Sequence, residues 1–158
     1  HNLIGFLNES GQSQEALSVL EQTRSLYLTL GEQTHLIRLR WLEGRICRDL
    51  GRLDEAETAL REARDGFIEH GIGFDAARAS LDLATVYLQQ GRTGELKRVA
   101  SEMVPIFESR DVHQEALAAL LLFRQAADAE EVTLGLLERI AGYLRRARQN
   151  PDLRFEGN

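Results

Sequence analysis

The side chains that could do chemistry in this chain are few and scattered. His1, His35, His70 and His113 are the four histidines, and no two stand at metal-ligand spacing. Cys47 is the single cysteine, so an internal disulfide is impossible and a reducing compartment fits. It falls beside core positions of a helical pattern and has no histidine nearby, which predicts a buried structural thiol rather than a nucleophile. The segment "HGIGFD" has two glycines but lacks the lysine of a phosphate loop. The acidic pairs Asp54-Glu55 and Glu130-Glu131 read as helix starts, where negative charge complements the dipole. A nucleophile, a base and an orienting group cannot be assembled from this set. The expectation is therefore no enzyme, no metal and no cofactor.

Arginine is what remains. There are 18 arginines against one lysine, Lys97, a skew that suits a high-GC bacterial genome. "LRRARQN" at 144–150 resembles a nucleic-acid patch in isolation. However, cations in a last helical turn complement the dipole, and a formal charge of −6 argues against a dedicated nucleic-acid binder. Hydrophobic residues at 43% and charged ones at 28% are ordinary for a globular domain. There is no apolar run long enough to span a bilayer and no signal-peptide pattern, so a cytoplasmic address is expected.

The elements that must position these arginines are written as a repeat. Gly11, Gly51 and Gly91 stand 40 residues apart. In the same register lie Phe6, Ile46 and Val86, then Ala16, Ala56 and Leu96, Leu20, Leu60 and Ala100, and Tyr27, Phe67 and Phe107. Self-similarity at such a period marks a solenoid. Each unit reads as two helices. Leu36, Leu39, Leu42, Ile46 and Leu50 share one side of a helix that Gly51 closes in a left-handed conformation. Asp54 stands at the N-cap position of the next, which carries Ala56, Leu60, Ala63, Phe67 and Ile68 to Gly71.

Gly31 and Asp111 close the neighbouring units. Small residues, Gly44, Ala56, Ala63 and Ala84, fall where helices must approach closely. A fourth, degenerate unit lacks the turn glycine. Its helices read as 113–129 and 130–149, the second with a polar outer face of arginines suited to a terminal cap. Asn150-Pro151 stops it, and Pro105 inside an earlier helix predicts a kink or hinge. The units are 1–31, 34–71, 74–111 and 113–149 in one domain, with 150–158 a tail. Because the chain opens at His1 part-way through a helix, it reads as a piece of a longer protein.

Gly44, Gly51, Ala56, Leu60 and Ala63, and then Leu83, Ala84, Tyr87, Gly91 and Ala100, form a pattern similar to the tetratricopeptide repeat. The units are about 40 residues instead of the typical ~34, Trp41 is one step late, and the closing proline is absent. The resemblance implies an all-α, right-handed superhelical α-solenoid of stacked antiparallel helix pairs, with about seven to eight helices. Longer units of this kind resemble those of bacterial signalling and transcription-regulating proteins.

In such arrays the first helices line a concave groove. Counting back from the loop glycines, the groove positions are Arg38, Trp41, Arg45 and Asp49, then Arg78, Leu81, Asp82, Thr85 and Gln89. Leu117, Leu121 and Arg124 are the candidates in the fourth unit. The family's carboxylate clamp uses lysine and asparagine where this chain has Trp41 and Arg45, and then Leu81 and Thr85. An arginine–tryptophan–arginine strip suits an acidic protein or peptide partner. The same residues also suit a core tryptophan with a solvated arginine face. The expected role is a non-enzymatic protein- or peptide-binding scaffold. Its alternatives are a sensor domain for a small ligand or signalling peptide, and self-association through end units at Leu136, Ile140 and Leu144 or the first helix.

Overall fold

The computed structural model describes the backbone of residues 2–108, 114–150 and 152–156, with side chains except at 2, 106–108, 114 and 115. The expectations placed on His1, Phe107, Asp111, His113 and Pro151 lie outside the described backbone or side chains.

One turn organises the chain. Gly11, Gly31, Gly51, Gly71 and Gly91 all take positive φ, between 67° and 83°, a region open to glycine without a Cβ penalty. Around Gly51 the Arg52 N–H donates to the Cys47 carbonyl at 2.8 Å and the Gly51 N–H to the Arg48 carbonyl at 3.0 Å. That pair of bonds is a Schellman closure. The Arg52 carbonyl in turn accepts from the Ala56 N–H at 3.0 Å, so the residue after glycine already opens the next helix. The same pattern recurs at Gly11-Gln12 and Gly91-Arg92. The half-unit is thus 20 residues: one helix and one three-residue turn.

Eight α-helices and no strand result among the described residues: α1 (Asn2–Glu9), α2 (Ser13–Leu30), α3 (Gln33–Asp49), α4 (Leu53–Glu69), α5 (Gly73–Gln89), α6 (Thr93–Glu108), α7 (Gln114–Asp128) and α8 (Leu134–Ala147). The expected Asp54 cap is corrected. Arg52 is the N-cap and Asp54 lies in the first turn of α4, because the glycine turn leaves no room for a later start. α6 continues through Pro105 to Glu108.

The contacts divide into two compact units, His1–Gly71 and Ile72–Asn158. In the first, α1 packs on α2 and α3, α2 on α3, and α3 on α4. Ile4, Leu7, Ala16, Leu20, Leu39 and Ile46 form its buried cluster. Gly44 is the close-approach point between α3 and α4: an added Cβ would sit 2.6 Å from Leu60 Cγ and 3.1 Å from its backbone nitrogen.

The second unit departs from simple stacking. α5 packs on α6, α6 on α7, α7 on α8, and α8 returns to α5, closing a ring of four helices. The turn before α8 closes with the same pair of bonds but without a glycine and without opening the next helix at once. Glu130 takes the left-handed conformation with φ 60°, and its neighbour's N–H donates to the Ala126 carbonyl at 2.8 Å. The expectation that α8 begins at Glu130-Glu131 is corrected. Those residues finish α7, and Thr133 caps α8, its hydroxyl accepting from the Leu136 N–H at 3.1 Å. The ring is fastened at Asp75, only 1% exposed in the first turn of α5. Its carboxylate accepts from Arg148 Nη1, at the end of α8, at 2.7 Å.

Four substitutions test these features, each read by urea or thermal unfolding. Gly44→Ala should cost about 1–3 kcal/mol through overpacking against Leu60. Gly91→Ala should cost about 1–2 kcal/mol by placing a Cβ at positive φ, whereas Glu130→Gly should leave stability unchanged or raise it by up to about 1 kcal/mol. Arg148→Met should cost about 1.5–3 kcal/mol, the worth of a hydrogen bond to a charged group.

Candidate functional site

α3 sets Arg38, Trp41, Arg45 and Asp49 along one side, at helical spacings of three and four. The structure makes Trp41 a core residue. It is 7% exposed and meets Phe67 of α4 edge-on, with ring centroids 5.7 Å apart at 88°. Arg45 lies with its guanidinium carbon 5.8 Å from the Trp41 ring centroid and its Nη2 3.8 Å from Glu9 of α1. Its side chain keeps 22% of its surface in solvent. The exposed Asp49 accepts from Asn8 Nδ2 at 2.6 Å, and Asn8 Oδ1 accepts from the Ser13 hydroxyl at 2.7 Å. Arg38 is half-buried on the same helix. The strip is therefore built from below: an indole in the core, a guanidinium over it, and acidic and amide groups at the helix end that hold the neighbouring helices.

A further network runs beside it. Glu43 accepts from Arg24 of α2 at 2.5 Å and from Arg40 at 2.7 Å, and Arg40 Nε donates to Glu62 of α4 at 2.6 Å. It ties three helices and was not anticipated. The signal was present, since Arg24 and Glu62 each stand 19 residues from Glu43, close to the half-unit length that brings successive helices side by side.

In the second unit the α5 candidates separate. Leu81 is 1% and Thr85 9% exposed, and the Thr85 hydroxyl donates to the Leu81 carbonyl at 3.0 Å. Both are taken inside because α5 packs on α6 and on α8. Arg78 and Asp82 are half-buried, and Gln89 and, on α7, Arg124 are exposed. Arg78 Nη1 lies 3.7 Å from the buried Asp75. Leu117 is half-buried and Leu121 exposed.

The end-unit candidates for self-association change as well. Ile140 and Leu144 are buried, at 0% and 1%, on the inner face of α8, because that face closes the ring. Leu136 is half-buried. On α1, by contrast, Leu3 and Phe6 are exposed.

Cys47 is buried, and that burial pushes its thiol above the ordinary range, so it is neither ionised nor reachable as a nucleophile at neutral pH. Lys97 reaches Glu130 at 2.7 Å, and this hydrogen bond holds the Glu130 carboxyl below the usual carboxylate range. Among the described residues no three histidine, cysteine or acidic side chains gather to hold a metal ion. No helix among them is long and apolar enough to cross a membrane.

Residues 37–62 and 77–95 match the family model described as tetratricopeptide repeat. The first segment spans most of α3 and the first half of α4, and the second spans most of α5, the turn and the start of α6. No curated protein matches the chain, and no solved structure does. With the glycine turns and the Gly44–Leu60 approach already in place, these two matched segments are similar to the tetratricopeptide repeat.

Proposed function

We propose that the α3 strip binds an acidic segment of a protein partner, making the chain a non-enzymatic scaffold module. Repeats of this family present extended surfaces to protein partners, and that much holds for the class. The observation that carries the specific reading is Arg45 seated over Trp41. A guanidinium held over an indole has already given up part of its freedom, so a carboxylate engages it at lower entropic cost. Arg38, two turns earlier on the same helix, supplies a second fork.

The wider reading is a module of a larger bacterial regulatory or signalling protein, working in the cytoplasm. It is supported by units of about 40 residues and by 18 arginines against one lysine.

Arg38→Glu combined with Arg45→Glu should abolish recovery of a partner captured by the wild-type chain in a pull-down, with the helical circular dichroism retained. Arg45→Lys keeps the charge but loses the flat face on Trp41, and should retain only part of the binding. A partner that stays bound to the double variant would refute the α3 strip.

A further inference from the structure

A different basic surface lies in the second unit. After α8, residues 152–156 run back along the helix. The Tyr143 hydroxyl donates to the Leu153 carbonyl at 3.3 Å. Phe155 packs against the Tyr143 ring at 5.1 Å, and Arg139 Nη2 donates to the Glu156 carbonyl at 3.3 Å. Between this segment and α8 lies a cleft of about 530 Å³ whose walls include Arg139, Gly142, Arg145, Arg146 and Arg154.

Two observations single the cleft out. The first is charge. Residues 134–158 carry five arginines against three acidic residues, while the rest of the chain carries 14 basic against 22 acidic. Arg148 is committed to Asp75. Among the described residues, however, no carboxylate lies within ion-pair distance of Arg145, Arg146 or Arg154. Complementing the helix dipole accounts for one or two cations in a last turn, but not for Arg154 and Arg139 facing the same cleft.

The second observation is Gly142. A glycine inside a helix costs about 1 kcal/mol relative to alanine. Gly44 and Gly66 have internal reasons, because a Cβ there would press on Leu60 or Ile37. At Gly142 a Cβ would meet nothing within 4 Å. Gly5 and Gly94 are equally open, so what distinguishes Gly142 is its place in the cleft wall between Arg139 and Arg145, where the missing side chain lets a peptide backbone approach α8.

We propose that the cleft takes a short acidic peptide segment of a partner protein, its carboxylates on Arg145, Arg146 and Arg154 and its backbone close to α8 at Gly142. Glu138 and Glu156, also in the walls, repel carboxylates and confine the acidic side chains to the arginine end. A polynucleotide fits less well, because it needs a longer basic track than this otherwise acidic chain supplies.

The test is fluorescence anisotropy of a labelled hexaglutamate peptide titrated with the whole 158-residue chain at low salt. Saturable binding is expected. Arg145→Glu with Arg146→Glu should weaken it by at least about tenfold. Gly142→Leu should weaken it by at least about tenfold while the melting temperature stays level or rises, since leucine is the better helix former. Arg61→Glu with Arg98→Glu, charge reversals at exposed residues outside both surfaces, should leave it unchanged. Absence of saturable binding, or equal binding by the Arg145/Arg146 and Gly142 variants, overturns the proposal. Loss of binding only in the Arg38/Arg45 variant also overturns it, while leaving the α3 reading intact. Tighter binding of a labelled oligothymidylate with the same arginine dependence would assign the cleft to nucleic acid instead. A dimer in sedimentation that Arg145→Glu with Arg146→Glu dissociates would assign it to a second copy of the chain.

Discussion

The left-handed glycine that ends each of α1 to α5 is the constraint on which the other features depend. One residue at positive φ lets the chain reverse within three residues, satisfies carbonyls of the helix just finished and opens the next at once. With so little loop, successive helices within a unit must lie antiparallel and side by side. The helix faces are then set by the 20-residue half-unit rather than by long-range search. Close approach follows from the same geometry. α3 meets α4 where Gly44 leaves no room for a Cβ, and the buried Ala56, Ala59 and Ala63 line the same contact side of α4.

Charge is distributed by this frame in two ways. Three of the eight arginines of the first unit tie helices together: Arg24, Arg40 and Arg45 reach acidic residues on neighbouring helices. Such pairs are partly exposed and each contributes little by itself. In the second unit Asp75 is almost wholly buried, so its pairing with Arg148 matters more. Of the arginines facing the α8 cleft, Arg139 holds the Glu156 carbonyl, whereas Arg145, Arg146 and Arg154 have no described carboxylate within ion-pair distance.

Much of the fold was legible because its signals are local. The glycine columns, the helical periodicity and the small residues at 44, 56, 63 and 84 lie within single hairpins. They predicted the helices and their close contacts. The N-terminus of α4 was misplaced because Asp54 is a good capping residue by type, while the glycine turn had already started the helix at Leu53. The candidate site was legible in part. Arg38 and Arg45 kept accessible surface, but Trp41 proved to be core, joined edge-on to Phe67. Helical spacing assigns a side of the helix, and on a helix packed on several sides one strip can serve both core and surface.

The amino-acid sequence by itself determined the helices, their turns and the pairing of neighbouring helices such as α3 and α4 within a unit, since these rest on backbone conformation and on contacts between near neighbours in the chain. The tertiary structure alone decided that α8 returns to α5. That closure joins residues 73 apart through Asp75 and Arg148, and neither periodicity nor propensity encodes which distant helix an amphipathic face will meet. It also decided the fate of Leu81, Thr85, Ile140 and Leu144. A side chain's exposure depends on the second helix covering it, and that helix is chosen by packing over the whole unit.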